Sequence, residues 1–401
     1  MQISRRQLPA WLVAARTAAA AAPEPARTGS DIGSLYPFVQ KQADRSTLEL
    51  SFLRPEFREL KPWQAKLRPL LFDHMFYTPA RVAPEPRVIR RTERDGYVEE
   101  YLTFQTTPDL RVPAFVLIPK NAKLPAPGVV ALHDHGGFYL WGKEKLLEQP
   151  GEHPELTRFR REAYGGKSIA AELAARGYVV IVIDMFYWGE RRMVLDDDAA
   201  DFRERPSDMA RERIAAFNRR SGENEQLVAR SLLTAGVSWP GVMLWDDIRT
   251  VDYLASRPEV DPKRIGCVGL SVGGYRSFHL AALDERIKCA VDVCWMTSYA
   301  TQIQSRIRNT VGLTFHIPGI YRYADMPDFA ALIAPRAVMV IGGSRDGLFT
   351  PEGVAAAHEK IRKCYAKAGV AERQNCRMYD TPHEFNPEMQ AEAWKWLGRW
   401  V

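Results

Sequence analysis

A strand, a tight glycine turn and a helix follow one another between residues 264 and 279, and this succession constrains the fold more than any other feature. Residues 265–268 are an apolar run with β-branched members, which is typical of a buried strand. Residues 269–273 then fit the pattern Gly-x-Ser-x-Gly, and helical spacing continues to residue 283. In this context the pattern predicts a nucleophile elbow, with the hydroxyl of Ser271 beside the positive N-terminal end of the helix. The alternative is a glycine-rich turn with a capping serine.

Strands and helices alternate on both sides of this turn. We predict strands at residues 128–132, 178–183, 265–268, 289–293, 337–341 and 375–379, and helices at 169–176, 246–255, 275–283, 354–368 and 387–400. Short β-rich runs between residues 87 and 119, separated by turns, predict antiparallel strands at the start of the sheet. The chain is therefore expected to adopt an α/β fold with a mostly parallel central sheet and helices on both faces.

Two segments interrupt this alternation, at residues 190–244 and 296–329. Both follow the carboxyl ends of predicted parallel strands, where α/β sheets bind ligands. We interpret them as lid insertions that shape a pocket, although they could also serve stability alone. The predicted catalytic domain spans residues 87–401, and residues 31–86 form a helical extension packed on it.

The first 30 residues form an export signal and linker in this interpretation. The pair Arg5 and Arg6 precedes an apolar stretch and the alanine run 18–22, an order typical of a twin-arginine signal, although Arg16 interrupts the apolar region. We expect export to the periplasm or the cell exterior. If the segment is instead a disordered or helical alanine-rich tail, the protein stays in the cytoplasm.

Composition excludes several classes of function. The net charge is +6, but basic residues are scattered among acidic ones, so no nucleic-acid partner is expected. No apolar stretch is long enough for a transmembrane helix. The five cysteines show no paired close spacing and no zinc pattern, and their odd number argues against a complete disulfide framework.

Two further residues complete a candidate catalytic triad with Ser271. Asp346 follows the predicted strand 337–341, and His383 follows the predicted strand 375–379. The order Ser, Asp, His matches the arrangement of α/β-hydrolases. His383 would act as general base and then general acid, while Asp346 would fix its tautomer and stabilise the imidazolium. Asp380 is a rival acid, but a neighbour so close to the histidine more often caps a loop.

The loop after the predicted strand 128–132 reads His-Asp-His-Gly-Gly-Phe and predicts an oxyanion hole. Gly137 is the best candidate for one N–H donor, Phe138 is the alternative, and Val272 would supply the second donor. His133, Asp134 and His135 could instead bind a metal, but no distant third ligand is evident, so we expect no metal and assign His135 to bracing the loop.

Aromatic residues near these strand ends are candidates for the substrate pocket, although aromatic side chains are as often part of the core. The residues chosen are Phe138, Trp188, Tyr275, Trp295 and His316. Glu190 and Arg191 are interpreted as a buried ion pair that orders the surroundings of the elbow.

From about residue 87 to 401 the chain resembles the α/β-hydrolase superfamily, and within it the branch of dienelactone hydrolases and acetylxylan esterases. The resemblance is carried by residues 133–137, 245–249, 261–266, 269–274, 344–346 and 382–385. It implies hydrolysis of carboxylic esters through an acyl-enzyme, without a cofactor. Dienelactone hydrolases proper use a cysteine nucleophile, so Ser271 favours an ordinary esterase over hydrolysis of enol lactones.

We therefore expect a serine esterase that acts on short acyl groups, such as acetyl groups on carbohydrate. A serine peptidase or amidase with the same triad is one alternative. A non-catalytic binding protein that keeps the hydrolase fold is the other. The oligomeric state is left open.

Overall fold

A nine-stranded sheet forms the centre of the protein. The structure is a computed structural model that describes residues 27–307 and 312–401, so the predicted export signal at residues 1–26 lies outside the described residues. The strands are β1 (Arg87–Glu93), β2 (Tyr97–Gln105), β3 (Arg111–Pro119), β4 (Ala126–Leu132), β5 (Val179–Ile183), β6 (Val260–Leu270), β7 (Ile287–Val293), β8 (Ala337–Gly343) and β9 (Gln374–Tyr379).

The strands lie in the order β1-β2-β3-β5-β4-β6-β7-β8-β9. Strands β1 to β3 pair antiparallel with one another, and β3 pairs antiparallel with β5. All pairs from β5 to β9 are parallel. This topology confirms the predicted mostly parallel sheet with antiparallel strands at its N-terminal end.

Helices cover both faces of the sheet. They are α1 (Tyr36–Asp44), α2 (Leu60–His74), α3 (Pro154–Tyr164), α4 (Ile169–Ala175), α5 (Ala200–Glu204), α6 (Arg211–Thr234), α7 (Trp239–Ser256), α8 (Val272–Leu283), α9 (Ala330–Ile333), α10 (Pro351–Lys367) and α11 (Pro387–Trp400). Along β4, Val130 and Leu132 join one apolar core with α7, α8 and α10, whereas Val129 and Ala131 join a second core with α4 and α11. This alternation follows from the two-residue period of a strand, and it buries the sheet on both faces.

Helix α2, from the predicted N-terminal extension, packs against the first of these cores. Trp63 and Leu67 are buried. The side-chain amide of Gln64 donates to the carbonyl oxygens of Ala331 (2.8 Å) and Ala334 (2.6 Å). The extension is thus held by apolar burial and by hydrogen bonds to the end of α9.

The first predicted insertion contains α5, α6 and the start of α7. Helix α7 begins at Trp239, before the predicted start at residue 246, because Ser238 caps it by accepting from the N–H of Gly241 (3.0 Å). Among the described residues, no single helix is long and apolar enough to cross a membrane, while α6 and α7 together meet that criterion only as a pair bent by 83°.

Candidate active site

Ser271 occupies a strained turn between β6 and α8. Its φ is 59° and its ψ is −123°, a backbone conformation that costs about 1–3 kcal/mol outside glycine. Its N–H donates to the carbonyl oxygen of Val293 at 2.7 Å, which fixes the turn against the end of β7. The strain is therefore imposed by the strands on either side, and it places the serine at the carboxyl edge of the sheet.

The flanking glycines leave no room for a side chain. A Cβ on Gly269 would lie 2.3 Å from the carbonyl carbon of Gly273, and a Cβ on Gly273 would lie 2.0 Å from the carbonyl oxygen of Leu132. The elbow is thus packed directly against the end of β4, which brings the turn and the predicted oxyanion loop together.

His383 and Asp346 meet beyond the ends of β9 and β8. Nδ1 of His383 lies 2.6 Å from Oδ2 of Asp346. The other carboxylate oxygen of Asp346 accepts from the N–H of Leu348 at 2.9 Å, which orients the carboxylate. Since Nδ1 donates to Asp346, the Nε2 atom of His383 carries the lone pair. The pair has the geometry of a general base and its orienting acid.

Asp380 lies apart from this pair. Its side chain is 85% exposed, and it forms an ion pair with Nε of Arg345 at 3.0 Å. It also accepts from the hydroxyl of Ser344 at 3.2 Å. Asp380 therefore belongs to a cluster of surface side chains, and Asp346 is the carboxylate that contacts His383.

The predicted oxyanion loop is arranged differently from expectation. The N–H of Gly137, the preferred donor, instead donates to Nδ1 of His135 at 2.9 Å. The N–H of Phe138, the alternative, donates to the carbonyl oxygen of His135 at 3.3 Å. Within the described part of the chain, the N–H groups of His135, Gly136 and Val272 have no acceptor. The free donors of the loop therefore lie one and two residues earlier than predicted.

His135 connects this loop to helix α6. Because its Nδ1 accepts from Gly137, its Nε2 carries the proton and donates to Oε1 of Glu225 at 2.6 Å. The same carboxylate oxygen accepts from the hydroxyl of Tyr139 at 2.8 Å. Glu225 thus ties the first insertion to the loop beside Ser271.

The His-Asp-His stretch has its polar atoms engaged in hydrogen bonds. Nδ1 of His133 donates to the carbonyl oxygen of Asp134 at 2.8 Å, and its Nε2 accepts from the N–H of Met185 at 3.0 Å. Burial lowers the pKa of His133 well below its usual value, so the ring is neutral. With both ring nitrogens of His133 and of His135 already partnered, the stretch braces the loop.

Among the residues that the structure describes, one cluster has ligand atoms close enough for a metal. It consists of Cys294, Asp346 and His383, whose ligand atoms lie within 4.8 Å of one another. The Nδ1 proton of His383 already occupies the space between two of them. Burial raises the pKa of the Cys294 thiol well above its usual value, so no thiolate is offered.

Ser271 and His383 line a common cavity of about 470 Å³. Its walls combine loop glycines, apolar side chains and the polar face of α6. The lining residues are His135, Gly136, Gly137, Gly222, Glu225, Gln226, Ser271, Val272, Trp295, Gly312, Phe315, Leu348 and His383.

Of the five predicted pocket residues, Trp295 lines this cavity. Tyr275 is fully buried behind the wall, with its ring 5.7 Å from that of Trp295. Trp188 is also fully buried and stacks on Tyr139, and Phe138 stacks on Phe159 at 4.9 Å. None of these three side chains lines the cavity.

His316, the fifth predicted residue, lines a separate cavity of about 350 Å³ between the N-terminal extension and the second insertion. Its Nδ1 lies 2.8 Å from the carbonyl oxygen of Gly312. The second insertion bends so that Phe315, its neighbour in sequence, faces Ser271 while His316 faces away.

Glu190 and Arg191 do not pair with each other as predicted. Arg191 pairs with Asp246 at 2.8 Å, and Glu190 accepts from Lys143 and from the hydroxyl of Tyr101. The reason is that the 3-10 turn Gly189–Arg191 directs consecutive side chains to different sides.

Sequence reasoning missed the contribution of helix α6. The three cavity-lining residues of this helix, Gly222, Glu225 and Gln226, have the i, i+3, i+4 spacing of one helix face. This spacing could have indicated that they lie on the same side of the helix. The helix is polar on several sides, so its pattern alone did not indicate which face turns toward Ser271.

Comparison with known proteins places this chain in a family. A model described as the Abhydrolase family matches residues 29–381. YtaP of Bacillus subtilis (strain 168), a protein provisionally named a hydrolase, is 28% identical over 339 residues, which cover 84% of this chain and all of YtaP.

Solved structures share the fold at lower sequence identity. One is a protein of Bacteroides fragilis NCTC 9343 provisionally described as an acetyl xylan esterase, with a TM-score of 0.67 and 22% identity over 87% of this chain and 83% of that protein. Another is a glucuronoyl esterase from Solibacter usitatus, with a TM-score of 0.58 and 16% identity over 85% of this chain and 94% of that protein. These similarities confirm the α/β-hydrolase fold.

Proposed function

Because this chain belongs to the Abhydrolase family, we propose that it is a serine hydrolase of carboxylic esters that works through an acyl-enzyme. One observation carries the proposal. The imidazole of His383, held by Asp346 at 2.6 Å, lines the same cavity as a serine in an elbow conformation. A serine hydroxyl needs such a base to become a nucleophile.

The proposed reaction has two halves. Oγ of Ser271 attacks the ester carbonyl carbon while Nε2 of His383 takes the hydroxyl proton, and His383 then passes that proton to the leaving alkoxide as the ester C–O bond breaks. Water next attacks the acyl carbon while His383 takes a proton from it, and His383 returns that proton to Oγ of Ser271 as the Oγ–acyl bond breaks and the carboxylic acid leaves. Asp346 stabilises the imidazolium in both halves.

The developing oxyanion needs preorganised donors. The N–H of Val272, at the start of α8, is one, and the helix dipole adds favourable potential there. The N–H groups of His135 and Gly136 are the remaining candidates, since neither is consumed within the loop. This assignment replaces Gly137 as the loop donor.

The cavity favours a small acyl group attached to a polar alcohol. Trp295 and Phe315 supply aromatic surface near Ser271, while Glu225 and Gln226 supply polar groups that can bind hydroxyls. Aromatic rings and carboxylates together suit a sugar ring that bears an ester. The names of two proteins with this fold, an acetyl xylan esterase and a glucuronoyl esterase, support carbohydrate esters as the substrate class.

Hydrolysis of 4-nitrophenyl acetate by purified protein tests the reaction class. The unsubstituted chain should release 4-nitrophenol, and Ser271→Ala should lower kcat by roughly 10⁴-fold or more without altering the circular dichroism spectrum. Release of acetate from acetylated xylo-oligosaccharides, measured on the same sample, tests the substrate class. Unchanged activity in Ser271→Ala would contradict the mechanism.

Matched substrates separate the esterase from an amidase or peptidase. An acetate ester and the corresponding 4-nitroanilide present the same acyl group with different leaving groups. We expect the ester to be cleaved with the higher kcat/KM. A preference for the anilide would favour the amidase, and cleavage of neither would favour a binding protein that keeps the fold.

A further inference from the structure

Lys145 is a fully buried ammonium directly beneath the loop that follows β4. It ends the 3-10 turn Lys143–Lys145 and has no exposed surface. Its Nζ donates to the carbonyl oxygens of Asp134 (3.0 Å) and His135 (2.9 Å) and to Oδ2 of Asp134 (3.2 Å). An ammonium has three protons, so all its donors are used. Because burying this charge costs several kcal/mol, the complete set of partners is what makes the position tolerable.

Peptide geometry links those carbonyl groups to the cavity. In a planar trans peptide the C=O of one residue and the N–H of the next point in opposite directions. Lys145 binds the carbonyl oxygens of Asp134 and His135, so the N–H groups of His135 and Gly136 point away from it. Both of these N–H groups lack an acceptor among the described residues, and both residues line the cavity with Ser271.

Other donors hold the same two carbonyl groups. Nδ1 of His133 donates to the carbonyl oxygen of Asp134 at 2.8 Å. Nε1 of Trp188 donates to the carbonyl oxygen of His135 at 3.1 Å. The two peptide planes are therefore fixed from the side opposite the cavity, and among the described side chains Lys145 is the one that contacts both carbonyl groups.

Lys145 is itself held in place by Asp134 and Tyr164. The hydroxyl of Tyr164 donates to Oδ1 of Asp134 at 2.5 Å, while the other carboxylate oxygen faces the ammonium. All three side chains are buried. These contacts and the burial of all three side chains hold the ammonium against the two carbonyl groups.

We infer that Lys145 is a positioning residue that builds the oxyanion hole, acting through the two peptide groups that it binds. The inference rests on the proposed function. An ammonium on a carbonyl oxygen polarises the peptide and strengthens its N–H as a donor, and it also prevents the peptide from turning over. Both effects serve an oxyanion that exists only during the reaction, so they act on kcat rather than on substrate binding.

Two double variants form a matched test. Lys145→Met with Asp134→Asn removes the ammonium together with its carboxylate, so no buried charge is left unpaired. Lys143→Met with Asp184→Asn removes a neighbouring lysine and carboxylate of equal burial, joined at 2.9 Å, that do not contact the loop carbonyls. The other two acidic partners of Lys143, Glu144 and Glu190, keep Arg205 as a partner. Kinetics with 4-nitrophenyl acetate, circular dichroism and thermal unfolding are measured for both.

For the Lys145 pair we expect kcat to fall about 10- to 100-fold with KM within about two-fold of the parent, because the oxyanion donors lose their support. The Lys143 pair should keep the parent kcat. An unchanged kcat in the Lys145 variant, or an equal fall in both variants, would overturn the inference.

If the Lys145 variant does not fold, Lys145→Gln with Asp134→Asn decides, because it removes the charge from beneath the loop and keeps a side chain of similar length that can donate. A fall in kcat of about three-fold at constant KM supports a carbonyl-held oxyanion hole, and an unchanged kcat overturns it. Failure of the unsubstituted chain to cleave any ester would contradict the proposed function itself, which separates the two outcomes.

Discussion

Two acidic residues, Asp346 after β8 and Asp380 after β9, differ in one respect that matters for catalysis. Asp346 is bound to Nδ1 of His383, while Asp380 faces solvent with Arg345. The contact with Asp346 fixes the histidine tautomer that leaves Nε2 as the base. The role of each residue at this edge is thus set by a single hydrogen-bond partner.

Asp346→Asn should therefore lower kcat by roughly 10³- to 10⁴-fold, since an amide can stabilise the wrong tautomer and cannot stabilise the imidazolium. Asp380→Asn is the matched control, and its kcat should equal that of the parent. Steady-state kinetics with 4-nitrophenyl acetate measure both. A larger loss in Asp380→Asn would show that the acid has been misassigned.

Gly273→Ala tests the packing of the elbow. The added Cβ would lie 2.0 Å from the carbonyl oxygen of Leu132, so either β4 or the elbow must shift. We expect a loss of about 1–3 kcal/mol or more in the free energy of unfolding, together with loss of activity. Urea unfolding measures this change in the free energy of unfolding. Gly398→Ala, in α11 with its nearest atom 3.8 Å from the new Cβ, should be neutral or stabilising.

Helix α6 and the loop after β4 act as one unit because Glu225 accepts from both His135 and Tyr139. The sequence predicted an insertion at this place, and it predicted that His135 would brace the loop. It did not identify the partner, because a charged helix offers several acidic side chains and only tertiary packing selects one. For the same reason the sequence did not reveal that the N–H of Gly137 donates to the side chain of His135, two residues away.

Glu225→Ala should raise KM several-fold and lower kcat about ten-fold, since α6 loses its tie to the loop and His135 loses its fixed tautomer. Glu223→Ala, an exposed position on the same helix, is the control and should leave both constants unchanged. Michaelis–Menten analysis of both variants measures kcat and KM. Parent-like constants in Glu225→Ala would contradict the link.

At the scale of the whole molecule, the sheet and the order of Ser271, Asp346 and His383 were predictable from sequence. Strand periodicity is local, and parallel strands bring their carboxyl ends to one edge whatever the loops do. The pocket wall was less predictable. Trp188 and Tyr275 follow strand ends as expected, but their large aromatic rings are buried in the core and do not face the cavity. Which of two adjacent residues, Phe315 or His316, faces the cavity depends on the path of the second insertion.

The buried carboxyl of Asp292 makes the stability of the whole fold depend on pH. Burial raises its pKa well above the usual value, and the N–H of Trp295 offsets this only in part. The folded state thus keeps a proton that the unfolded state has lost, so stability falls as pH rises above the ordinary value of 3.8 toward the raised one.

Asp292→Asn removes this titration. The difference in Tm between the variant and the parent should therefore shift in favour of the variant from pH 5 to pH 8. Differential scanning calorimetry at both pH values measures this difference in Tm. A difference that is constant with pH would mean that folding does not raise the pKa of Asp292.

The central claim is that Ser271 is the nucleophile of an ester hydrolase. The most direct measurement is peptide mapping by mass spectrometry after reaction with a fluorophosphonate, with residual esterase activity followed in the same sample. We expect one covalent adduct, on Ser271, a loss of activity in proportion to its formation, and no adduct in Ser271→Ala. An adduct on another residue that accounts for the loss, or full activity with Ser271 modified, would contradict it.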